Sequence, residues 1–187
     1  MAVPETTQPR LQQSTPVILL LLTVPATTCT CNHPHALDTT FSWDSLQLLR
    51  TMAPSPMQAC QHQGAPIFPS ALLHNSHPQQ ASTIALHILY KLFTIFSSLS
   101  TPEHWDAWAQ DAFLNHLHHH IHHLEQCLQA NGILSKRKTP RNLRLSIDKY
   151  FASIQDFLHI HNHSTCAWDH VRLQVRACFQ HMDTLIR

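Results

Sequence analysis

The clearest helical pattern of the chain lies in its last segment, Cys166-Ala-Trp-Asp-His-Val-Arg-Leu-Gln-Val-Arg-Ala-Cys-Phe-Gln-His-Met-Asp-Thr-Leu-Ile186. Its apolar residues recur at steps of three and four, the period of one face of an α-helix. They are Trp168, Val171, Val175, Cys178, Phe179, Met182 and Ile186. Arg172 and Arg176 lie one turn apart on the polar side. The pattern predicts a helix with a core face and a basic face that is free to bind a partner.

Composition favours one helical domain. The chain has 187 residues, enough for a single domain with a substantial core, and only two glycines, which argues against a turn-rich all-β fold. The 12 basic and 11 acidic residues nearly balance, so no charge excess points to nucleic acid. The 18 histidines should make the chain strongly positive only below about pH 6.

The first 30 residues are typical of a secretory signal peptide. Val17–Leu22 is a short apolar core, Arg10 precedes it and the small residues Ala26–Thr30 follow it. This core is far shorter than the roughly 20 residues of a membrane-spanning helix. We therefore predict cleavage after Thr30 and a secreted, extracellular domain over residues 31–187 that does not insert into membranes.

Four more helices are predicted before the last one, and they span residues 37–52, 81–99, 102–130 and 140–160. Asp38 or Thr39 is the expected N-cap of the first helix. Thr101-Pro102-Glu103 combines three helix-start signals at the third. Five prolines between residues 53 and 79 predict a long connection instead of a helix. The result is an all-α, five-helix bundle, up-up-down-down, with a long first crossover loop, as in secreted cytokines.

The run from His116 to His123 could bind a metal, since histidines four residues apart on a helix can share one zinc ion. However, Leu117, Ile121 and Leu124 keep the core stripe, which puts the histidines on the flanks and the outer face. A solvated polar face is the favoured interpretation, and we assign no metal ligand and no cofactor. The sequence has no His-Glu-x-x-His, Gly-rich phosphate loop or Gly-x-Ser-x-Gly motif, so we expect no enzyme.

Five cysteines follow the signal peptide, which predicts two disulfide bonds and one spare thiol. Cys178 lies on the apolar stripe of the last helix and is the expected buried thiol. The other four, Cys31, Cys60, Cys127 and Cys166, allow three connectivities. Asn162-His163-Ser164 is a candidate glycosylation sequon, with an unmodified loop asparagine as the alternative.

Cys166-Ala-Trp-Asp-His-Val-Arg172 resembles the Cys-Ala-Trp-Glu-x-Val-Arg signature that opens the last helix of type I interferons, the alpha/beta family. The residues of these motifs are most similar to those of bird interferons. Other matching segments are Cys31-Asn-His, Ser45-Leu-Gln-Leu-Leu, Phe68-Pro69, His123-Leu-Glu-Gln-Cys127 and Lys149-Tyr-Phe151.

The resemblance implies two disulfide bonds, Cys31 with Cys127 and Cys60 with Cys166. Each would close a loop of roughly 100 residues and contribute at most about 4–5 kcal/mol in the chain-entropy model. The second bond would tie the long loop to the start of the last helix.

The resemblance also implies two receptor-binding surfaces. The long loop and the last helix would bind the high-affinity receptor chain, with Arg172 central, Leu173 and Arg176 beside it, and Gln61 and Gly64 in the loop. The opposite surface, on the second, third and fourth helices, would bind the low-affinity chain. Lys149 matches a basic family position there, whereas Asp148 replaces a basic residue.

The function so implied is a secreted interferon cytokine that pairs two receptor chains. Janus kinases and STAT factors would then induce an antiviral state. Two alternatives stay open from the sequence. One is a secreted histidine-rich metal-binding protein, and the other is a diverged family member that folds but does not signal.

Overall fold

The computed structural model of the protein describes residues 40–53, 65–69, 78–130, 132 and 141–186. Within them the chain forms five α-helices and no strand, which confirms the predicted fold class. The helices are α1 (Phe41–Met52), α2 (Pro78–Phe96), α3 (Ala107–Ala130), α4 (Arg141–Ile160) and α5 (Thr165–Ile186). In this part of the chain no helix has the length and apolar character needed to cross a bilayer.

α3 runs antiparallel to both α1 and α2. At one end of α1, Phe41 packs on His120, and at the other end the N–H of Asp106 donates to the carbonyl of Met52 at 2.9 Å. α2 meets α3 in the same sense, because Phe96 packs on Phe113 near the start of α3. α1 and α2 are therefore parallel, an arrangement that needs the long connection between them.

α5 completes the bundle. Phe41 contacts Phe179 near the C-terminal end of α5, whereas Leu49 lies beside Arg172 near its start, so α1 and α5 are antiparallel. The helices α1, α2, α3 and α5 thus run up-up-down-down. α4 packs outside this set against α2 and α5.

Trp168 anchors α5 in the core. Its side chain is fully buried and packs edge-on against Phe96 and Trp105. Its indole Nε1–H donates a 2.8 Å hydrogen bond to the carbonyl of Ser100 in the α2–α3 connection. One residue therefore joins α2, α5 and the turn between α2 and α3.

The predicted start of α3 at Pro102 is wrong, because the helix begins at Ala107. The side chain of Asp106 caps it by accepting the N–H of Ala109 at 2.7 Å. Thr101 instead takes part in the preceding turn, where its hydroxyl donates to the Ser98 carbonyl. Trp108, predicted in the core stripe, is 72% exposed as a result.

α2 is displaced by three residues at each end from its predicted span. It starts at Pro78, which suits the first helical position because the missing N–H has no partner there in any residue. It ends at Phe96, and Leu99, predicted in the apolar face, is fully exposed. The hydroxyl of Ser98 accepts the N–H of Ser100 and so replaces helical hydrogen bonding.

The remaining helix limits are close to prediction. α4 and α5 agree to within one residue. α1 ends at Met52 as predicted but begins at Phe41, four residues after the predicted start at residue 37, with Thr40 at the N-cap position. The predicted caps, Asp38 and Thr39, lie outside the described residues. The predicted signal peptide, residues 1–30, also lies outside them.

Candidate functional site

Among residues 165–182 of α5, whose side chains the structure describes, Leu173 is an exposed large apolar residue, 39% exposed. Gln180, seven residues later on the same side of the helix, is also exposed. Arg176 lies between them and is half-buried. This strip is the solvent-facing side of α5 in the described residues.

Arg172 does not share that exposure. Its side chain is only 12% exposed, and Nη1 donates a 3.1 Å hydrogen bond to the carbonyl of Leu49 in α1. Nη2 lies 3.5 Å from Oδ1 of Asp169, which is itself buried. The prediction that Arg172 stands on a free basic face is therefore wrong. The reason is that carbonyls in the last turn of α1 lack helical partners, and the guanidinium supplies a donor to one of them, that of Leu49.

The described part of the long loop, residues 65–69, packs on α4 and α5. Phe68 is buried, with its ring 5.2 Å from that of Tyr150 and stacked 5.9 Å from that of His181. Its backbone N–H donates to Oε1 of Gln174 at 3.4 Å. Loop and helix therefore form one continuous surface, with Ile67 81% exposed upon it.

The cysteine predictions are tested only in part. Cys166, at the start of α5, is in a disulfide bond, and its predicted partner Cys60 lies outside the described residues. Cys127 is buried with Sγ 3.8 Å from Nε2 of His123, and its predicted partner Cys31 also lies outside them. Both pairings stay predictions.

Cys178 is a buried thiol, as predicted from its place on the apolar stripe. Burial raises the pKa of this thiol above its ordinary value of 9.0. The thiolate is therefore disfavoured, so this residue belongs to the core and is chemically inert.

On α4, Lys149 is exposed while its neighbour Asp148 turns toward α2. Asp148 Oδ1 lies 2.9 Å from Nε2 of His87 and 2.8 Å from Nζ of Lys91. Burial acts to raise the pKa of Asp148, but the hydrogen bonds from Lys91 and His87 outweigh it and leave the pKa below its ordinary value. The unusual acidic residue at this position thus links α2 to α4.

Part of the histidine run of α3 is more buried than predicted. His120 is buried, with its ring 3.9 Å from that of Phe41, and His116 lies with Nε2 3.3 Å from the carbonyl of Phe41. The prediction that all these histidines lie on the flanks and outer face is wrong for His120. The reason is that α1 crosses α3 here and covers part of its polar side.

The sequon lies in the turn between α4 and α5. Asn162 is exposed, and both it and His163 have φ of 50°, a left-handed turn conformation. Ser164 directly precedes α5 at the N-cap position, where its hydroxyl accepts the N–H of Ala167 at 3.3 Å. The acceptor asparagine is accessible in this turn, and its modification stays a prediction.

Reasoning from the sequence missed the contacts of three residues that position Arg172 and the loop on α5: Leu49, Asp169 and Gln174. The spacing of Asp169 and Arg172 is three residues on one helix, a signal that could have suggested their ion pair. Nothing in the sequence pointed to the carbonyl of Leu49 or to the amide of Gln174. Gln61 and Gly64, predicted in the same surface, lie outside the described residues.

Comparison with known proteins settles the family. The family model of the interferon alpha/beta domain matches residues 35–187. The chain belongs to the interferon alpha/beta family. Chicken (Gallus gallus) interferon type B is 51% identical to this interferon over 173 residues, covering 91% of this chain and 85% of that protein. Chicken interferon type A1/A2 is 44% identical, covering 99% of this chain and 97% of its own length.

The turkey (Meleagris gallopavo) interferon is 42% identical to this interferon and covers 100% of this chain and 98% of its own length. Among solved structures, zebrafish interferon 1 superposes with a TM-score of 0.66 at 21% identity, covering 78% of this chain and 92% of that one. The structural likeness supports the all-helical cytokine fold, and the sequence likeness establishes the family.

Proposed function

We propose that this interferon is a secreted, non-enzymatic cytokine that brings together a high-affinity and a low-affinity type I interferon receptor chain. Pairing the chains would activate their Janus kinases and STAT factors and induce an antiviral state. Membership of the interferon alpha/beta family supports the receptor class. The observation that carries the location of the site is the docking of Phe68 on α5, which makes loop and helix one surface.

The high-affinity surface is proposed to centre on Leu173, with Arg176 beside it and Gln61 and Gly64 in the neighbouring loop. Leu173 is an exposed apolar side chain on a rigid helix, the kind of residue that carries binding energy when a partner buries it. Arg172 contributes by holding α5 against α1. Charged residues at the edge mainly speed encounter.

The low-affinity surface is proposed on α2, α3 and α4, with Lys149 as an exposed contact. Asp148 is acidic and is engaged by His87 and Lys91. Of the two neighbouring residues, only Lys149 therefore offers a positive charge to a receptor. This assignment predicts that reversing the charge of Lys149 weakens signalling without weakening high-affinity binding.

The experiment that tests the proposal measures both binding and signalling. Leu173→Ala should weaken binding to the high-affinity chain by roughly 1–2 kcal/mol and reduce an interferon-response reporter in chicken cells. Leu145→Ala is the matched control for high-affinity binding, since Leu145 is an exposed leucine on α4, 49% exposed. Equal binding by both variants would exclude the proposed site, and binding without any reporter response would favour the non-signalling alternative.

We also propose that residues 1–30 are removed on secretion and that Asn162 carries an N-linked glycan. The accessible turn between α4 and α5 supports the modification. Protein secreted from bird cells should lose mass on treatment with peptide N-glycosidase, and Asn162→Gln should abolish that loss. Retention of residues 1–30, or a wild-type mass unchanged by the enzyme, would contradict the respective claim.

A further inference from the structure

Two histidines on the outer side of α3, His118 and His122, lie one helical turn apart with both side chains exposed. Their rings are nearly parallel, at 3°, with centroids 6.4 Å apart. The ring of Phe93 on α2 lies 6.1 Å from that of His118 and flanks one side of the pair. Imidazoles in this relation can both turn a ring nitrogen toward one ion, because residues four apart on a helix share a face.

The other i, i+4 pairs of α3 are committed elsewhere. His116 and His120 both face Phe41, and His120 is buried there. In the remaining pair, His123 directs Nε2 toward the sulfur of Cys127 at 3.8 Å. His118 and His122 are therefore the pair in this run whose rings are both exposed and turned to the same side.

A second group is arranged around His122. Its Nδ1 lies 3.9 Å from Oε2 of Glu125, three residues later on the same helix. Glu125 is held in turn by the hydroxyl of Tyr90 on α2, which hydrogen-bonds to Oε1. That hydrogen bond, together with burial, raises the pKa of Tyr90 to about 12, so the phenol stays protonated and stays a donor. A carboxylate that orients the Nδ1 side leaves Nε2 of His122 free for a metal.

We propose that His118 and His122 form a two-histidine chelating site for a divalent transition metal of the zinc class. Imidazole nitrogens suit Zn²⁺, Ni²⁺ and Cu²⁺. No group of three or more metal-binding side chains is gathered within the described residues, so water completes the coordination sphere. Glu125 is a positioning residue that acts through His122. The site lies among the helices of the proposed low-affinity surface, but metal binding by these two side chains does not depend on the proposed function.

Isothermal titration of the full-length secreted protein with Zn²⁺ at pH 7.4 tests the site. His118→Gln together with His122→Gln should weaken the main binding event at least tenfold, with an unchanged circular dichroism spectrum. The matched control is His159→Gln with His163→Gln, which removes another exposed pair whose centroids are also 6.4 Å apart but whose rings lie at 80°. This control variant should bind Zn²⁺ with the affinity of the wild type.

Glu125→Gln separates positioning from ligation. Loss of an outer-shell carboxylate typically lowers metal affinity 10–100-fold while the histidine ligands remain. We expect the lower end of that range here, and Zn²⁺ should still shift the ring signals of His118 and His122 in NMR spectra of this variant. Zn²⁺ affinity unaffected by the His118/His122 double substitution, or lost in the control pair, would overturn the proposal, as would absence of binding by the folded wild type. Reporter activity of the same variants is a separate readout.

Discussion

The guanidinium of Arg172 on α5 donates a 3.1 Å hydrogen bond to the backbone carbonyl of Leu49 on α1, across 123 positions of sequence. Leu49 belongs to the last turn of α1, just before the long loop leaves the helix. The residue that family resemblance marks as a receptor contact therefore also fixes the point where the loop begins. The hydrogen bond predicts that Arg172 stabilises the fold whatever its proposed receptor role, which sets the first prediction.

Arg172→Ala should lower the free energy of unfolding by about 1–3 kcal/mol, because it leaves the Leu49 carbonyl and the Asp169 carboxylate with fewer donors in a buried position. Arg172→Lys should recover part of the loss, since lysine keeps the charge but not the planar fork. Urea unfolding measures both. Arg176→Ala, on the same helix and half-buried, is the control and should change stability by no more than about 0.5 kcal/mol. Equal stability of wild type and Arg172→Ala would refute the structural role.

Trp168→Phe should destabilise the bundle by about 2–3 kcal/mol. The substitution leaves a void beside Phe96 and Trp105 and removes the donor to the Ser100 carbonyl. Trp108→Phe provides the comparison, because that indole is 72% exposed and its replacement should cost less than about 0.5 kcal/mol. The two variants unfolding at the same urea concentration would show that Trp168 is not the anchor described here.

Phe68→Ala should release residues 65–69 from α4 and α5. The buried ring contacts Tyr150 and His181, and its loss should lower the free energy of unfolding by about 2–4 kcal/mol. The loss is smaller than for an aromatic ring enclosed between helices, because a loop can readjust. Limited proteolysis should cut the connection between α1 and α2 faster, and affinity for the high-affinity receptor chain should fall. Ile67→Ala removes a neighbouring side chain that is 81% exposed and should leave the proteolysis rate unchanged. Protection equal to that of the wild type in Phe68→Ala would contradict loop docking through this ring.

His87 should make stability depend on pH. Burial lowers the pKa of this imidazole below 6.5, and the opposing effect of Asp148 does not cancel it. Between the folded pKa and 6.5 the unfolded chain binds more protons, so the contribution is complete above pH 6.5 and is lost as the pH falls through the folded pKa. Asp148 adds a second loss at lower pH, below its unfolded value near 3.8, because its folded pKa is depressed.

Urea unfolding of the wild type and His87→Gln between pH 7.5 and 4.5 measures this effect. The difference in unfolding free energy between the two proteins should shrink as the pH falls below 6.5. His104→Gln, which replaces an exposed histidine, controls for the many other histidines of the chain and should stay parallel to the wild type. A difference that is constant over this range would mean that His87 keeps the same pKa on unfolding.

The predicted α4 and α5 agree with the structure because their signals are local. In α5, a stripe with a period of 3.6 residues buries Val171, Val175 and Phe179, and an apolar stripe of that width needs a helix and a core wherever its partners are. The buried thiol of Cys178 followed from the same stripe. The start of α3 was wrong because two competing caps, Thr101 and Asp106, lie within one turn and a half. The contact of the Asp106 N–H with Met52 of α1 favours the later one.

The helix count, the family and most of each core stripe followed from residue order along one chain segment at a time, whereas Leu99 and Trp108 left the predicted stripes. Tertiary structure alone decided where Arg172 and His120 point, because each lies at a stripe boundary. A side chain at such a boundary is exposed or covered according to which helix crosses it. Here α1 packs over both positions. The Leu49 carbonyl in its last turn accepts a hydrogen bond from Arg172, and the ring of Phe41 packs on His120. Periodicity fixes the face of a helix, but only the packed neighbour fixes what that face touches.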